Sequence, residues 1–332
     1  MPELRRDPIV GRWVIVDTDH PRLPQNYECE THTQKGGVCP FCYGNESITP
    51  PEIESFRDLH TAHNTPGWQV RVVPNKFPAL KIEGDLDRRG SGIYDLLNGI
   101  GAHEVLIETP YHNKDIPDLI NEEVEKIILM YCRRSLDLIK DKRFKYIMIF
   151  KNYGPAAGAS LEHPHTQIIA LPMVPKNPLE EIKGAENYFE FRERCIYCDI
   201  IRQELDEKER IISENNHFLA LCPFVSRFPF EIWIIPKQHY GYFYHLPPEE
   251  IPALASILKD TISKIKNIFG NLSYNFIIHS SPANGDTGIE GYHWHIEFMP
   301  KLMHVAGFEW GSGFYVVPTP PELAAQYLKG EK

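Results

Sequence analysis

The chain has 332 residues, 42% hydrophobic and 24% charged, with a formal net charge of −10 at pH 7. That length suggests about two domains or halves, and the composition is that of a globular protein able to bury a sizeable core. The negative balance argues against non-specific binding to nucleic acid or an anionic membrane surface, and no apolar run approaches the ~20 residues of a membrane span.

Met1-Pro2-Glu3-Leu4-Arg5-Arg6 lacks the apolar stretch of a signal peptide, so a cytoplasmic enzyme is expected. Seven cysteines, an odd number, speak against a disulfide framework. Four of them form two Cys-x-x-Cys pairs, Cys39/Cys42 and Cys195/Cys198. Cys29, Cys132 and Cys222 stand alone and read as small buried hydrophobes.

In chain order, Cys39-x-x-Cys42 precedes an apolar strand over 104–108, followed by Pro110-Tyr111-His112. Helical spacing of Val124, Ile127, Ile128, Tyr131 and Leu136 predicts an amphipathic helix over roughly 121–140. A strand over 146–150, a glycine-containing loop and His163-Pro164-His165 follow, and a strand ending at Pro172 closes the unit. The same signals then recur in order. Cys195-x-x-Cys198 precedes a strand over 231–235 and Pro236-Lys237-Gln238-His239; a helix over roughly 248–269 starts at Pro-Pro-Glu-Glu. A strand over 274–278, a second glycine-containing loop, His293-Trp294-His295 and a strand ending at Pro300 complete it.

Several kinds of signal matching in the same order indicate fusion of two related units. The expected architecture is α+β: residues 1–174 and 188–332 as two halves, 175–187 as a Pro-, Lys- and Glu-rich linker. Their antiparallel strands form one sheet or two matched sheets, with helices packed on one side.

A Cys-x-x-Cys pair with two distant histidines supplies the four ligands of tetrahedral zinc. The first site is Cys39, Cys42, His112 and His163; the second is Cys195, Cys198, His239 and His293. Redox chemistry of the thioredoxin kind is the competing reading for one such pair, and the repetition favours metal. A filled Cys₂His₂ site has no open position, so the expected role is structural.

This divides the labour of the central motif. Residues i and i+2 of an extended segment share a face, and Pro164 biases His163 towards that conformation. His163 faces the metal, and His165 is left free beside it. Neutral imidazole is a competent nucleophile near neutral pH. The small-residue loop Lys151-Asn152-Tyr153-Gly154-Pro155-Ala156-Ala157-Gly158-Ala159-Ser160 lets backbone N–H groups approach phosphate oxygens, although it matches neither the P-loop nor the Rossmann pattern. Gln167 shares the face of His165 as a donor to an attacked phosphoryl oxygen.

Asn-x-Gly-x-x-x-Gly-x-Ser-x-x-His-Pro-His-x-Gln, beginning at Asn152, resembles the active-site signature of the galactose-1-phosphate uridylyltransferase family, a two-half branch of the histidine triad superfamily. Residues 5–16 and Val73-Pro74-Asn75-Lys76-Phe77-Pro78-Ala79-Leu80 are also similar to that family, so the likeness spans nearly the whole chain. The resemblance implies a ping-pong exchange between a nucleotide sugar and a hexose 1-phosphate through a covalent uridylyl-His165. It assigns Gln167 and Ser160 to the phosphoryl oxygens, and Asn75, Phe77, Asn152, Gly158 and Arg22 to substrate binding. It also implies a homodimer.

Three features depart from the family's best-known form. Thr166 stands where glycine is usual. Cys195/Cys198 occupies a half in which some members build an iron site from a Glu and three His, a set to which Glu181, His279, His295 and Glu297 correspond in kind; iron is thus the alternative second metal. The tail Phe308-Glu309-Trp310-Gly311-Ser312-Gly313-Phe314-Tyr315 matches the hexose-holding region, but Pro318, Pro320 and Pro321 follow it, as in the related ADP-glucose phosphorylases. Phosphorolysis of a nucleotide sugar is the alternative reaction. Hydrolysis, or a zinc-scaffolded nucleotide-binding module without chemistry, are the readings from other classes.

Overall fold

The computed structural model of the protein describes residues 1–28, 36–284 and 290–331; Cys29 and His32 lie outside them. Ten strands form one antiparallel sheet. From one edge they are Ile211–Glu214, Phe218–Leu221, Ile232–Pro236, His295–Pro300, Tyr274–His279, Tyr146–Tyr153, His165–Leu171, Ala102–Ile107, Trp68–Pro74 and Glu54–Arg57. The order is a palindrome: each unit contributes five strands in the same internal arrangement. The units join where Tyr146–Tyr153 pairs with Tyr274–His279. Of the two expected arrangements, the single sheet is the one formed.

One helix per unit covers the same face. Asn121–Leu138 starts with Glu122 and Glu123 in its first turn, and the Glu123 carboxylate accepts the Ile120 N–H at 3.0 Å. Ile251–Phe269 is preceded by a 3₁₀ turn at Pro248–Glu250 and stops at Gly270, whose φ of +70° favours glycine. The two helices and the sheet share one core, which includes Val124, Ile127, Leu254, Leu258, Ile262 and Phe298. Each such side chain, fully buried, contributes roughly 1.5–3 kcal/mol. Leu136 corrects the predicted stripe: it is 40% exposed, while Leu138 takes the core position at 5%. Leu136 lies five residues beyond Tyr131, about 140° off the buried face.

The opposite face distinguishes the halves. The segment expected as a linker, 175–187, is instead the start of the helix Lys176–Arg192, followed by Ile196–Glu207. Proline at the start and a mix of Lys and Glu suit a helix as well as they suit a linker, and composition could not separate the two. Ile182, Ala185, Ile196, Tyr197 and Ile201 pack these helices on Leu219, Leu221 and Ile235 of the second half. Gly184 permits a close approach, since a Cβ there would lie 1.9 Å from the Ile9 carbonyl oxygen.

The division at residue 174 needs a second correction. Glu3–Arg6 and Trp13–Val16 form a hairpin, and Tyr315–Val317 adds in parallel to make a separate three-stranded sheet. Val14, Val16, Val225 and Val317 cluster there, so the N-terminal segment is built onto the second half.

Candidate active site and metal centres

Both predicted four-residue clusters assemble, with donor atoms within 4.8 Å of one another in each. In the first, His163 Nδ1 lies 3.7 Å from Cys39 Sγ and 3.6 Å from Cys42 Sγ, and His112 Nδ1 lies 3.4 Å from Cys42 Sγ. A tetrahedral centre with bonds of about 2.0–2.3 Å has ligand–ligand edges of about 3.3–3.8 Å, so these spacings fit one four-coordinate metal ion. His163 Nε2–H donates to the Thr109 carbonyl at 2.7 Å, which fixes the tautomer and turns Nδ1 to the thiols. Burial, then the adjacent Cys39, push the Cys42 thiol up to about 11, so a cation is needed to hold it as a thiolate.

The second cluster repeats this design. Cys198 Sγ is 3.5 Å from His239 Nδ1 and 3.7 Å from His293 Nδ1, and His293 Nε2–H donates to the Pro236 carbonyl at 2.9 Å. A third cluster, Glu181, His279 and His295, lies nearby. His279 bridges two carboxylates, Glu181 at 2.9 Å and Glu297 at 3.2 Å, and Arg227 also pairs with Glu297. Burial disfavours the imidazolium, but Glu181 and Glu297 outweigh it and push His279 up to about 10. His293 turns to Cys198, so its imidazole belongs with the thiols and not with this ion-pair chain.

His165 begins the strand His165–Leu171 and is 8% exposed. Its Nδ1–H donates to the His163 carbonyl at 2.8 Å, leaving the lone pair on Nε2. Burial holds its pKa below the ordinary imidazole value, so the ring is neutral near pH 7. The Phe41 ring packs edge-on at 5.4 Å. His165, Gln167, Ser160, Asn75 and Phe77 line one cavity of about 480 Å³, walled by Phe41, Ile48, Val73 and Val105. The equivalent position in the second half, His295, is covered by Tyr197 at 5.3 Å and Trp233 at 4.9 Å. Of these two equivalent positions, His165 faces a cavity and His295 is covered.

Asn152 is the penultimate residue of the strand Tyr146–Tyr153, and Gly158 lies on the loop that follows it. Gly158 has φ +85°, and Asn275 anchors the turn by donating to Asn152 Oδ1 at 2.8 Å and to the Ala157 carbonyl at 2.9 Å. Arg22 does not join the His165 cavity. It lines a separate one of about 510 Å³ with Ala156, Phe228, Lys301 and His304.

Two features escaped sequence reasoning. His103, which reads as an unremarkable strand-start residue, has Nε2 2.8 Å from Gln167 Oε1 and 3.0 Å from Asn75 Nδ2. Its alternation with Val105 was visible, but the strand register that sets both against Gln167 was not. Beneath the strand that begins at His165, buried Lys151 pairs with Glu108 and with Asp115 at 2.7 Å, and Lys266 meets Asp115 at 2.9 Å. Thr166 donates to Glu108 and therefore accepts from Tyr131 at 2.7 Å. Here a threonine in place of glycine ties the strand after His165 to the helix face. Burial pushes Asp115 up, but Lys151 and Lys266 outweigh it and hold it well below the usual carboxylate range. Lys151→Met is expected to destabilise the protein by about 3–5 kcal/mol, because Glu108 loses its cation inside the core. Urea unfolding checks this; a loss under about 1 kcal/mol would contradict it.

Fold and site together define a two-half α+β enzyme of the nucleotidyltransferase type. The second half matches the family described as galactose-1-phosphate uridyl transferase, C-terminal domain, over residues 181–313, and residues 94–174 match the N-terminal domain of DUF4931, a domain of unknown function. An ADP-glucose phosphorylase of Arabidopsis thaliana is 34% identical over 99% of this chain and 92% of its own length. A galactose-1-phosphate uridylyltransferase of Thermotoga maritima is 32% identical over 99% and 98%. Among solved structures, the Arabidopsis ADP-glucose phosphorylase with bound ADP-glucose superposes with a TM-score of 0.83 at 34% identity, covering 99% of each chain. A uridylyltransferase structure gives 0.77 at 28% identity, covering 99% and 98%. The chain belongs to the galactose-1-phosphate uridylyltransferase family. Among the described residues, no helix is long and apolar enough to cross a membrane.

Proposed function

We propose that the chain is a nucleotidyltransferase working through a covalent nucleotidyl-His165, as a UDP-glucose–hexose-1-phosphate uridylyltransferase. The observation that carries this is the tautomer of His165: Nδ1–H is engaged by the His163 carbonyl, so the Nε2 lone pair belongs to the cavity. Nε2 attacks the α-phosphorus of UDP-glucose, a P–N bond forms, and the P–O bond to glucose 1-phosphate breaks. A phosphate oxygen of galactose 1-phosphate then attacks the same phosphorus, and the P–N bond breaks to release UDP-galactose. The covalent intermediate splits one exchange into two easier steps. Gln167 and Ser160 hold the phosphoryl oxygens, while Asn75, Phe77, Asn152 and Gly158 contact the nucleotide. Cys39, Cys42, His112 and His163 hold a structural zinc, and Cys195, Cys198, His239 and His293 a second; thiolate–imidazole sets suit that ion.

A second reading is phosphorolysis of ADP-glucose, with inorganic phosphate as the acceptor. The Arabidopsis relative's identity and superposition favour it, as does the second Cys₂His₂ cluster. Intact-protein mass spectrometry after incubation with UDP-glucose or ADP-glucose identifies the nucleotidyl group by the mass added. Adding galactose 1-phosphate or phosphate then identifies the acceptor by which one clears the adduct. An adduct from UDP-glucose cleared by galactose 1-phosphate is expected; an AMP adduct cleared by phosphate selects the second reading, and no adduct from either sugar sinks both.

A further inference from the structure

We propose that His103 is a positioning residue for nucleotidyl transfer: it decides which way round the Gln167 amide stands. The proposal rests on the reading of His165 as the nucleotidyl carrier. His103 stands on Ala102–Ile107, and a backbone N–H on one side of the ring defines where its proton sits. The Ala79 N–H reaches His103 Nδ1 at 3.1 Å. A backbone N–H only donates, so Nδ1 must carry the lone pair, and the neutral ring keeps its hydrogen on Nε2.

That hydrogen faces two amides. The Asn75 oxygen is already occupied by the Phe77 N–H at 2.9 Å, and the Asn75 nitrogen at 3.0 Å from Nε2 is itself a donor. The acceptor is therefore Gln167 Oε1, at 2.8 Å. With its oxygen tied to His103, Gln167 presents its NH₂ group to the cavity that His165 lines. A flipped amide would present its oxygen to the anionic phosphoryl oxygens and repel them. The strand register sets the arrangement: Val105 pairs with Gln167, and His103, two residues earlier on the same face, pairs with Ile169. The main chain holds the ring's own backbone as well, since the Asn75 N–H donates to the His103 carbonyl at 2.8 Å.

The test measures the rate of nucleotidyl-enzyme formation in the full-length, metal-loaded chain, using isotope-labelled UDP-glucose and ADP-glucose as probes. His103→Ala is expected to slow this step about 10–100-fold, the range typical of residues that orient a directly contacting side chain, with KM little changed. His103→Gln places a donor near the position of Nε2 and should recover most of the rate. In a Gln167→Ala background, adding His103→Ala should cost less than about twofold, because the residue acts through that amide. Unchanged thermal unfolding midpoints would show that folding is not the cause. The proposal is overturned if His103→Ala labels at the unmodified rate, if its loss adds in full to that of Gln167→Ala, or if His103→Gln is no better than alanine. If the unmodified chain takes up no label, the carrier reading itself fails, and the role of His103 falls with it.

Discussion

His165→Ala is expected to lower nucleotidyl transfer on the order of 10⁴-fold or more, with the fold and metal content unchanged. The size of the effect follows from the kind of step removed. In the proposed mechanism His165 carries the transferred group; Gln167 and Ser160, which line the same cavity, are not comparable nucleophiles, and His163 is turned to the thiols. Neutrality at pH 7 adds to the argument, since burial keeps His165 deprotonated at Nε2. The ring contributes to packing through Phe41, so a modest loss of stability is tolerable, but labelled nucleotide should no longer be retained on the denatured protein. Steady-state rates and metal analysis on the same preparation check both halves of the expectation. Transfer within about tenfold of the unmodified chain would remove His165 from the mechanism.

Cys39→Ser with Cys42→Ser is expected to abolish activity and to lower stability by upward of about 4 kcal/mol, the linkage for a ligand present a thousandfold above its dissociation constant. The two losses share a cause. Cys39 and Cys42 meet His163 Nδ1, and the His163 carbonyl accepts the Nδ1–H of His165. Freeing His163 thus releases the tautomer and orientation of His165, the proposed nucleophile. Cys195→Ser with Cys198→Ser offers the contrast. That cluster lies in the half whose equivalent cavity is covered, so stability should fall while transfer per folded molecule persists. Thermal unfolding and activity, with and without chelator, separate the cases. Equal loss of turnover in both variants at matched folded fraction would deny the first cluster its special link to His165.

The Cys-x-x-Cys pairs, the His-x-His motifs and the order of strands and helices were legible because each is a local pattern: ligands close in sequence, or a hydrophobic period within one element. Two copies in register distinguish His163 from His165 in the sequence alone. Arg22 shows where such reading runs out. The N-terminal segment follows the second half through its pairing with Tyr315–Val317, and Arg22 ends up lining another cavity. Leu136 shows the same limit at smaller scale, since one step off the helical stripe separates core from surface.

The amino-acid sequence by itself set out the residues on offer: two Cys₂His₂ donor sets, an imidazole beside the first of them, a small-residue loop, and a duplicated α+β framework. The tertiary structure alone decided where that chemistry can be used. It joined the units into a single sheet, laid the 176–192 and 196–207 helices over one half, and left a cavity in the other. It also brought His103 to Gln167 through cross-strand register. Those outcomes depend on contacts between residues far apart in the chain, and local propensity carries no information about which distant surfaces meet.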